Sequence, residues 1–313
     1  MEQDRPVLGI LLMLGFCAVA PLADAVAKIL GPHVPIAQLL LVRFGVQFLI
    51  LLPFMGRTGR DWRMSRRVAV LAFVRTILHI LGIGMMVTAL IYLPLADAVA
   101  IAFVLPFIML LLGHYVLGEE VGMRRLSACA VGFAGTLLIV QPAFADVGWP
   151  ALLPLGVALN FAVFMLLTRQ IARDTDPIAL QAVSGGMAMV VLIPLILVLP
   201  AGLLPGGKWV GVDMPTWGLL LVLGTLGTLG HLLMTWSLRF APSATLAPMQ
   251  YLEIPFATLF GWLVFADLPD GLAVVGILIT VSAGLYILIR ERAASRALAP
   301  NLAKPAPAAP AAE

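Results

Sequence analysis

The sequence predicts an all-α polytopic membrane protein with ten transmembrane helices, arranged as two inverted five-helix repeats. Composition is the first observation behind this prediction. Of the 313 residues, 62% are hydrophobic and only 11% are charged, and the mean hydropathy is +1.07. Soluble domains are about half apolar and about a quarter charged. The second observation is an internal repeat, and the third is an uneven distribution of basic residues between the loops.

The internal repeat is clearest in one stretch that occurs twice, at 89–140 and at 237–289. Pro94 in the first copy and Pro242 in the second are 148 residues apart. A period near half the chain length indicates duplication of a whole structural unit, because solenoid repeats are much shorter. In a membrane chain, such halves commonly pack about a pseudo-two-fold axis and form a binding site between them.

Ten apolar runs have the length of a membrane span, which is roughly 20 residues for a hydrocarbon core of about 30 Å. All ten are predicted to be helices, because lipid offers no partner to backbone polar groups. In chain order they lie at 7–27, 34–54, 68–90, 95–117, 124–142, 149–169, 178–200, 216–238, 243–265 and 270–290.

The number of spans determines how the two halves are oriented. Five spans per half is an odd number, so the second half enters the membrane from the side opposite to the first. The predicted domains are a first repeat at 7–142 and a second repeat at 149–290. The tail at 293–313 is rich in Ala and Pro and is predicted to be a disordered cytoplasmic segment.

Basic residues lie mainly on one side of this topology. With the N-terminus in the cytoplasm, fifteen of the 19 Lys and Arg residues fall in cytoplasmic segments, and only Lys28 and Lys208 fall in outer ones. Cytoplasmic loops of membrane proteins carry the excess of positive charge. Both termini are therefore predicted to be cytoplasmic, and the net charge of +3 is not a sign of nucleic-acid binding.

Sequence motifs for several other chemistries are missing. The chain has no phosphate-binding Gly-x-x-x-x-Gly-Lys-Ser/Thr segment, no His-Glu-x-x-His zinc motif and no nucleophile elbow. The two cysteines, Cys17 and Cys129, lie within apolar runs and are interpreted as buried packing residues. No metal, cofactor or nucleic acid is therefore expected.

The repeated motif resembles a known family. Each half has a Leu…Pro…Ala segment, which begins with Ala89 in the first copy and Ser237 in the second, a Pro-Phe pair and an acidic residue near a helix end, although the second copy has Ala266-Asp267 where the first has Gly118-Glu119. Ten spans with this pattern resemble the EamA-domain members of the drug/metabolite transporter superfamily, over residues 7–290. Further local patterns resemble the branch of bacterial riboflavin and S-adenosylmethionine transporters; they are Asp24-Ala-Val-Ala-Lys28 with Arg43 and Arg75, and Pro248-Met-Gln-Tyr-Leu-Glu253 with 265–269 and 284–286.

The resemblance implies a secondary transporter, not driven by ATP, in the bacterial inner membrane. Its expected partners are a small-molecule substrate and the lipid bilayer, and the expected state is a monomer or a homodimer. Riboflavin or a similar flat metabolite is the expected substrate, moved by alternating access between the repeats. An exporter of amino acids or S-adenosylmethionine-like metabolites is the alternative substrate assignment. An integral membrane enzyme is the rival class, and a receptor or assembly subunit is a third.

Three charged residues lie deep inside the predicted spans rather than near their ends, and a charge at the centre of the bilayer costs at least about 2.5–3.5 kcal/mol. Arg43 and Glu253 lie near the middle of the second and ninth spans, and Arg75 lies seven residues into the third. A structural Arg43–Glu253 pair and a snorkelling Arg75 are the non-functional alternatives. We expect instead that Arg43 and Glu253 face one central cavity between the halves, where they contact the substrate or each other.

The predicted cavity has two cations against one acid, because its other walls are Arg75, Gln250, Tyr251 and Trp236. That balance favours a substrate with an electronegative part. Riboflavin fits through its carbonyls and through its flat ring, which can stack on aromatic side chains.

Other polar residues carry alternative roles. His79 lies one turn from Arg75 and is either a hydrogen-bonded interior side chain or a proton site. Asn160 either joins two helices or contacts the substrate. Asp24 and Lys28 are spaced to form a local ion pair.

Two prolines and three glycines mark places where the helices depart from regular packing. Pro106 and Pro255 occupy equivalent places in the two halves, and each is predicted to interrupt a span and act as a hinge. Gly224, Gly227 and Gly230 predict close packing along the eighth span.

Overall fold

The computed structural model describes residues 6–57, 64–105, 107–108, 111–112, 123–171, 174–198, 209–240, 246 and 250–302. Within these residues the chain forms ten α-helices and no strand. The helices are α1 (Pro6–Leu30), α2 (Ile36–Arg57), α3 (Arg66–Tyr92), α4 (Leu95–Ala102), α5 (Met123–Val147), α6 (Leu153–Ile171), α7 (Pro177–Val198), α8 (Met214–Phe240), α9 (Glu253–Phe265) and α10 (Gly271–Leu302). A short 3₁₀-helix, Trp149–Leu152, precedes α6.

Seven of the described helices are long and apolar enough to cross a membrane; they are α1, α2, α3, α5, α6, α7 and α8. Large apolar side chains cover the outside of the bundle. Val190 and Leu49, for example, are 72% and 64% exposed. Such a surface suits lipid, which is as apolar as these side chains. The prediction of an all-α membrane protein is confirmed, and the predicted spans match α1 to α3 and α5 to α8 within a few residues.

Four of the helices are capped at their N-termini by the side chain of the preceding loop residue. Ser65 accepts a hydrogen bond from the backbone N–H of Val68 at the start of α3. Asp176, Asp213 and Asp270 accept equivalent bonds at the starts of α7, α8 and α10. These oxygens satisfy backbone donors that the first helical turn leaves without partners. At Asp213, the hydrogen bonds from the Thr216 side chain and backbone hold the pKa of the carboxyl below its usual value.

The bundle is held together mainly by contacts between the two halves, α1–α5 and α6–α10. The most extensive contacts pair α1 with α8, α5 with α10, α2 with α7 and α3 with α6. The α5–α10 pair is close enough to need glycine on both helices. A Cβ atom on Gly276 would lie 2.6 Å from the carbonyl oxygen of Gly135. Each half packs mainly against the other half rather than against itself, so the core of the protein lies between the two halves.

The fourth and ninth predicted spans are interrupted in the described chain. The regular α-helix α4 ends at Ala102, and Phe103 and Val104 form a turn before helical residues resume. In the second half Gln250 is helical, Tyr251 and Leu252 form a turn, and α9 begins at Glu253. The repeat offset of 148 places these turns within one residue of each other. Both halves therefore break the same helix at the same place.

The C-terminal end of the chain differs from the prediction. Helix α10 continues to Leu302, whereas the disordered tail was expected to begin at 293. The segment 293–302 includes several Ala residues, which have the highest helix propensity. An apolar core is not required to continue a helix that the preceding span has already nucleated.

Candidate functional site

A cavity lies between the two halves of the protein, where the interrupted helices meet α1, α2, α3, α6 and α8. Its volume is about 160 Å³. Seven polar side chains line it, namely Asp24, Arg43, His79, Asn160, His231, Gln250 and Glu253. Its aromatic walls are Phe16, Phe103, Phe161 and Phe164. A cavity with mostly apolar walls and a few convergent polar groups is the usual form of a small-molecule site.

Arg43 reaches the cavity across a gap that a glycine leaves open. A Cβ atom on Gly227 would lie 2.8 Å from both Cζ and Nε of Arg43. Arg43 is only 7% exposed, and its guanidinium is attracted electrostatically to the carboxylate of Asp24. Within the described chain, no salt bridge joins Arg43 to Glu253. Arg43 and Glu253 thus share the cavity without a salt bridge; Asp24 also forms none with Arg43, but it is the acid whose charge acts on Arg43.

Glu253 is the first residue of α9, immediately after the turn at Tyr251 and Leu252. The N-terminus of a helix carries a partial positive charge and unpaired N–H groups, so it stabilises an anionic side chain. Gln250 precedes the turn, is 5% exposed and lines the same cavity. The break in the ninth span therefore brings one carboxyl and one amide to the cavity.

Asn160 on α6 donates a hydrogen bond from Nδ2 to the carbonyl oxygen of Leu78 on α3, at 2.8 Å. Gly82 makes this possible, since a Cβ atom there would lie 2.5 Å from Nδ2 of Asn160. Asn160 joins two helices and also lines the cavity. The structure thus shows the role of Asn160 in joining two helices, and its contact with a substrate stays a prediction.

His79 on α3 and His231 on α8 contact each other across the halves. Their Nε2 atoms are 2.8 Å apart, and the side chains are 5% and 9% exposed. The ring of His79 also packs edge-on against Phe44 and near Phe164. The sequence indicated His79 but not His231, because nothing pairs two residues 152 positions apart until α3 and α8 are known to be neighbours.

Arg75 does not reach the cavity wall, contrary to the prediction. It is fully buried and donates hydrogen bonds from Nε to Thr168 Oγ1 and from Nη1 to Ser184 Oγ. Its guanidinium also lies over the ring of Phe164, 4.4 Å from the centroid. Its depth in α3 was predicted correctly, but hydroxyl groups on α6 and α7 bind it behind the cavity.

Tyr251 and Trp236 also lie outside the cavity lining. Tyr251 is in the turn before α9, is 4% exposed and packs behind Phe103, with 5.3 Å between ring centroids. Trp236 packs against a cluster that includes Leu51 and Ile178. Neither ring lines the cavity in this geometry, and the stacking of either ring on a substrate stays a prediction. Phe103, Phe161 and Phe164 provide the aromatic surfaces instead.

Lys28 does not pair with Asp24, although the two residues are one turn apart. Its Nζ forms a salt bridge with Asp267 at 3.2 Å, donates to the carbonyl oxygen of Leu93 at 2.8 Å and lies over the ring of Phe265. These contacts join α1 to the ends of α3 and α9. Asp24 is thereby left to face the cavity.

The charge balance of the cavity is consequently the reverse of the predicted one. Arg75 is excluded from the wall and Asp24 is included in it. Among the described residues, the cavity is lined by one guanidinium, that of Arg43, and two carboxyl groups, those of Asp24 and Glu253. The earlier argument for an electronegative substrate depended on two cations against one acid, and it no longer holds.

The structure describes only one of the two prolines that were predicted to act as hinges. Pro106 lies outside the described residues. Pro255 is in the first turn of α9 rather than in mid-helix, because the helix begins only two residues earlier. Backbone N–H groups in a first turn have no intrahelical acceptor, so proline breaks no bond there. Pro255 marks the end of the interruption, and its role as a hinge stays a prediction.

Comparison with known proteins places the chain in a family. The EamA-like transporter family matches residues 7–141 and 148–290, which agrees with the two repeats. A solved crystal structure aligns with a TM-score of 0.61 and 17% identity, covering 97% of this chain and 100% of its own. At that identity the likeness shows the fold alone.

Several curated proteins match most of the sequence. The riboflavin transporter of Rhizobium johnstonii is 30% identical over 309 residues, covering 93% of this chain and 94% of that protein. The S-adenosylmethionine uptake transporter of Rickettsia bellii is 24% identical, with coverage of 87% and 90%. The pseudopaline exporter of Pseudomonas aeruginosa is 26% identical, with coverage of 83% and 88%. These matches confirm the resemblance found in the repeated motif, and the chain belongs to the EamA-like transporter family.

Proposed function

We propose that this chain is a secondary transporter of a small flat metabolite, with riboflavin as the first candidate substrate. Transport would proceed by alternating access between two inverted five-helix repeats. The observation that carries the proposal is the cavity between the halves, to which the broken helices of both halves contribute. In secondary transporters, substrate sites lie where such discontinuous helices meet at the interface of the repeats.

The pairing of helices supports the inverted-repeat architecture. The first helix of one half packs on the third helix of the other, as α1 does on α8 and α6 does on α3. The second, fourth and fifth helices pack on their own counterparts, in the pairs α2–α7, α4–α9 and α5–α10. A two-fold axis between the halves relates each of these contacts to itself or to another contact.

The size of the cavity supports a mechanism in which the halves move. Pockets that bind drug-sized ligands usually measure roughly 300–1,000 Å³, whereas this cavity is about 160 Å³. A flavin would therefore bind only after the halves separate further. A protein that alternates between open and contracted arrangements meets this requirement.

The walls favour a planar substrate with polar edges. Phe103, Phe161 and Phe164 present apolar rings that can pack against a flat heterocycle. Gln250 and Asn160 provide amide groups that can donate to carbonyls and accept from ring N–H groups. Riboflavin has these features and is the substrate named for the Rhizobium johnstonii relative.

One observation favours a second candidate. The carboxyl groups of Asp24 and Glu253 exceed the single guanidinium of Arg43 in the cavity, and a buried excess of acid favours a cationic partner. S-adenosylmethionine carries a sulfonium cation and a flat adenine ring, and a relative from Rickettsia bellii is named for its uptake.

Exchange across a reconstituted membrane tests the proposal. The purified protein is incorporated into liposomes loaded with unlabelled riboflavin or S-adenosylmethionine, and entry of the labelled compound is followed. We expect labelled riboflavin to exchange and S-adenosylmethionine to exchange more slowly. The reverse order would select the second candidate. Conversion of either compound to a product, without movement across the membrane, would favour the enzyme class and contradict the proposal.

A further inference from the structure

The contact between His79 and His231 contains an open position for a proton. A neutral imidazole has one N–H and one lone pair. At an Nε2–Nε2 distance of 2.8 Å, one ring donates its Nε2–H and the other accepts. The donor ring then has a lone pair at Nδ1, and the acceptor ring has its hydrogen there. Neither Nδ1 atom has a hydrogen-bond partner in the described part of the chain.

A contact that served only to join α3 and α8 would not need this arrangement. Unpartnered polar atoms in a buried site cost free energy, and folded proteins rarely leave them. The pair is also part of the cavity wall, but both Nδ1 atoms are buried in this arrangement, so water reaches them only when the halves move. Each half of the protein contributes one histidine, and relative movement of the halves therefore changes their contact.

We propose that the His79–His231 pair is a proton-binding site that couples transport to a proton gradient. This inference rests on the proposed transport function. A proton from water on one side of the membrane binds the open Nδ1 lone pair of the donor ring, which becomes an imidazolium while the second ring stays neutral. The same proton leaves to water on the other side after the halves have moved. No bond other than this N–H forms or breaks.

The surroundings of the pair contain charges of both signs. Burial, and then the positive charges of Arg43 on α2 and Arg75 on α3, oppose an additional positive charge on the rings. Asp24 on α1 and Glu253 on α9 are the carboxyl groups of the described residues that line the same cavity. A counter-charge for a proton on the pair would have to come from these two acids.

Among the described residues, no charge on α4, α6 or α7 acts on the pair. Helix α7 has no charged residue; its Gln181 donates to the backbone carbonyl oxygen of His231, not to the ring, and its Ser184 accepts from Arg75. The single charged residue of α6 is Arg169, near its C-terminal end. In α4 the only charge is Asp97, which interacts with Lys28 and Asp270 rather than with the histidines.

Nuclear magnetic resonance of the imidazole nitrogens tests the site without any substrate. The chain has only four histidines, so ¹⁵N-histidine labelling of the full chain in lipid bilayers gives few signals. A nitrogen–nitrogen coupling across the hydrogen bond identifies the pair in the wild-type protein. Because burial and the two arginines oppose the charge, we expect one ring of the pair to become an imidazolium only between about pH 6.5 and pH 4. If both rings stay neutral over this range, the proposal is overturned, whatever the protein transports.

Gradient-driven accumulation of labelled riboflavin in proteoliposomes tests the coupling. With one proton per substrate, each pH unit should change the accumulation ratio about tenfold. The variants His79→Gln and His231→Gln should lose this response to the gradient, and His33→Gln, at an exposed residue outside the cavity, should keep it. Retention of the response in either pair variant would overturn the proposal. Absence of riboflavin movement in the wild type under all conditions would refute the substrate assignment, and the resonance experiment would still decide the proton site.

Discussion

Arg43 reaches the cavity because Gly227 has no side chain to occupy the same space. An added methyl group would come within 2.9 Å of Cζ, Nε and Nη2 of the guanidinium, closer than such atoms approach. Gly227→Ala should therefore displace Arg43, with an overpacking cost of about 1–3 kcal/mol, and reduce riboflavin exchange in proteoliposomes.

Gly218 provides the matched control, because it lies on the same helix with no atom within 4 Å of an added Cβ. Gly218→Ala should leave exchange unchanged. Equal exchange in the two variants would show that the position of Arg43 is unimportant for transport.

The partner of Arg43 can be identified by combining substitutions. Arg43→Ala should abolish transport and reduce the yield of folded protein, since Asp24 then lacks its counter-charge. Glu253→Gln should also abolish transport. The electrostatic attraction between Arg43 and Asp24 predicts that Arg43→Ala with Asp24→Asn recovers the yield but not transport, and that Arg43→Ala with Glu253→Gln recovers neither. Yield is measured by size-exclusion chromatography. Normal transport by Arg43→Ala alone would refute the cavity assignment.

The interrupted helices are where sequence reasoning and structure differ most at the scale of the element. The hydropathy pattern predicted α1 to α3 and α5 to α8 correctly, because the length of an apolar run can be read from consecutive residues alone. It located Glu253 in the middle of a span but could not show that the helix stops there and restarts. Which way a polar side chain faces depends on neighbouring helices, so Arg75 and Trp236 were assigned to the wrong wall.

The interruption before α9 gives Pro255 a testable role. In Pro255→Ala, the new N–H could donate to the carbonyl oxygen of Tyr251, four residues earlier, and continue α9 back through the turn. We expect slower riboflavin exchange with substrate affinity within severalfold of wild type, measured by thermal shift. Because Pro106 is the equivalent proline of the first repeat, Pro106→Ala should have the same effects on exchange and affinity.

Pro215→Ala is the control for this prediction. Pro215 lies in the first turn of α8, outside the cavity lining, and its replacement should leave the exchange rate unchanged. Wild-type rates in Pro255→Ala would reduce this proline to a packing residue.

At the scale of the whole molecule, the orientation of the chain is still a prediction from loop charges. Reporter fusions after Glu291 and within 201–213 measure it. We expect a cytoplasmic signal from the first fusion and a periplasmic signal from the second. A periplasmic signal after Glu291 would contradict both the ten-span topology and the inverted repeat.

The packing of α1 on α8 has a consequence for how the protein is made. Helix α1 ends at Leu30 and α8 begins at Met214, so a ribosome adding about 5–20 residues per second completes them on the order of ten seconds or more apart. During that interval Asp24 and Arg43 have entered the bilayer without the Gly227 surface that later receives them. Because the two carry opposite charges on consecutive helices, we expect each to neutralise the other until the second half of the chain has been translated.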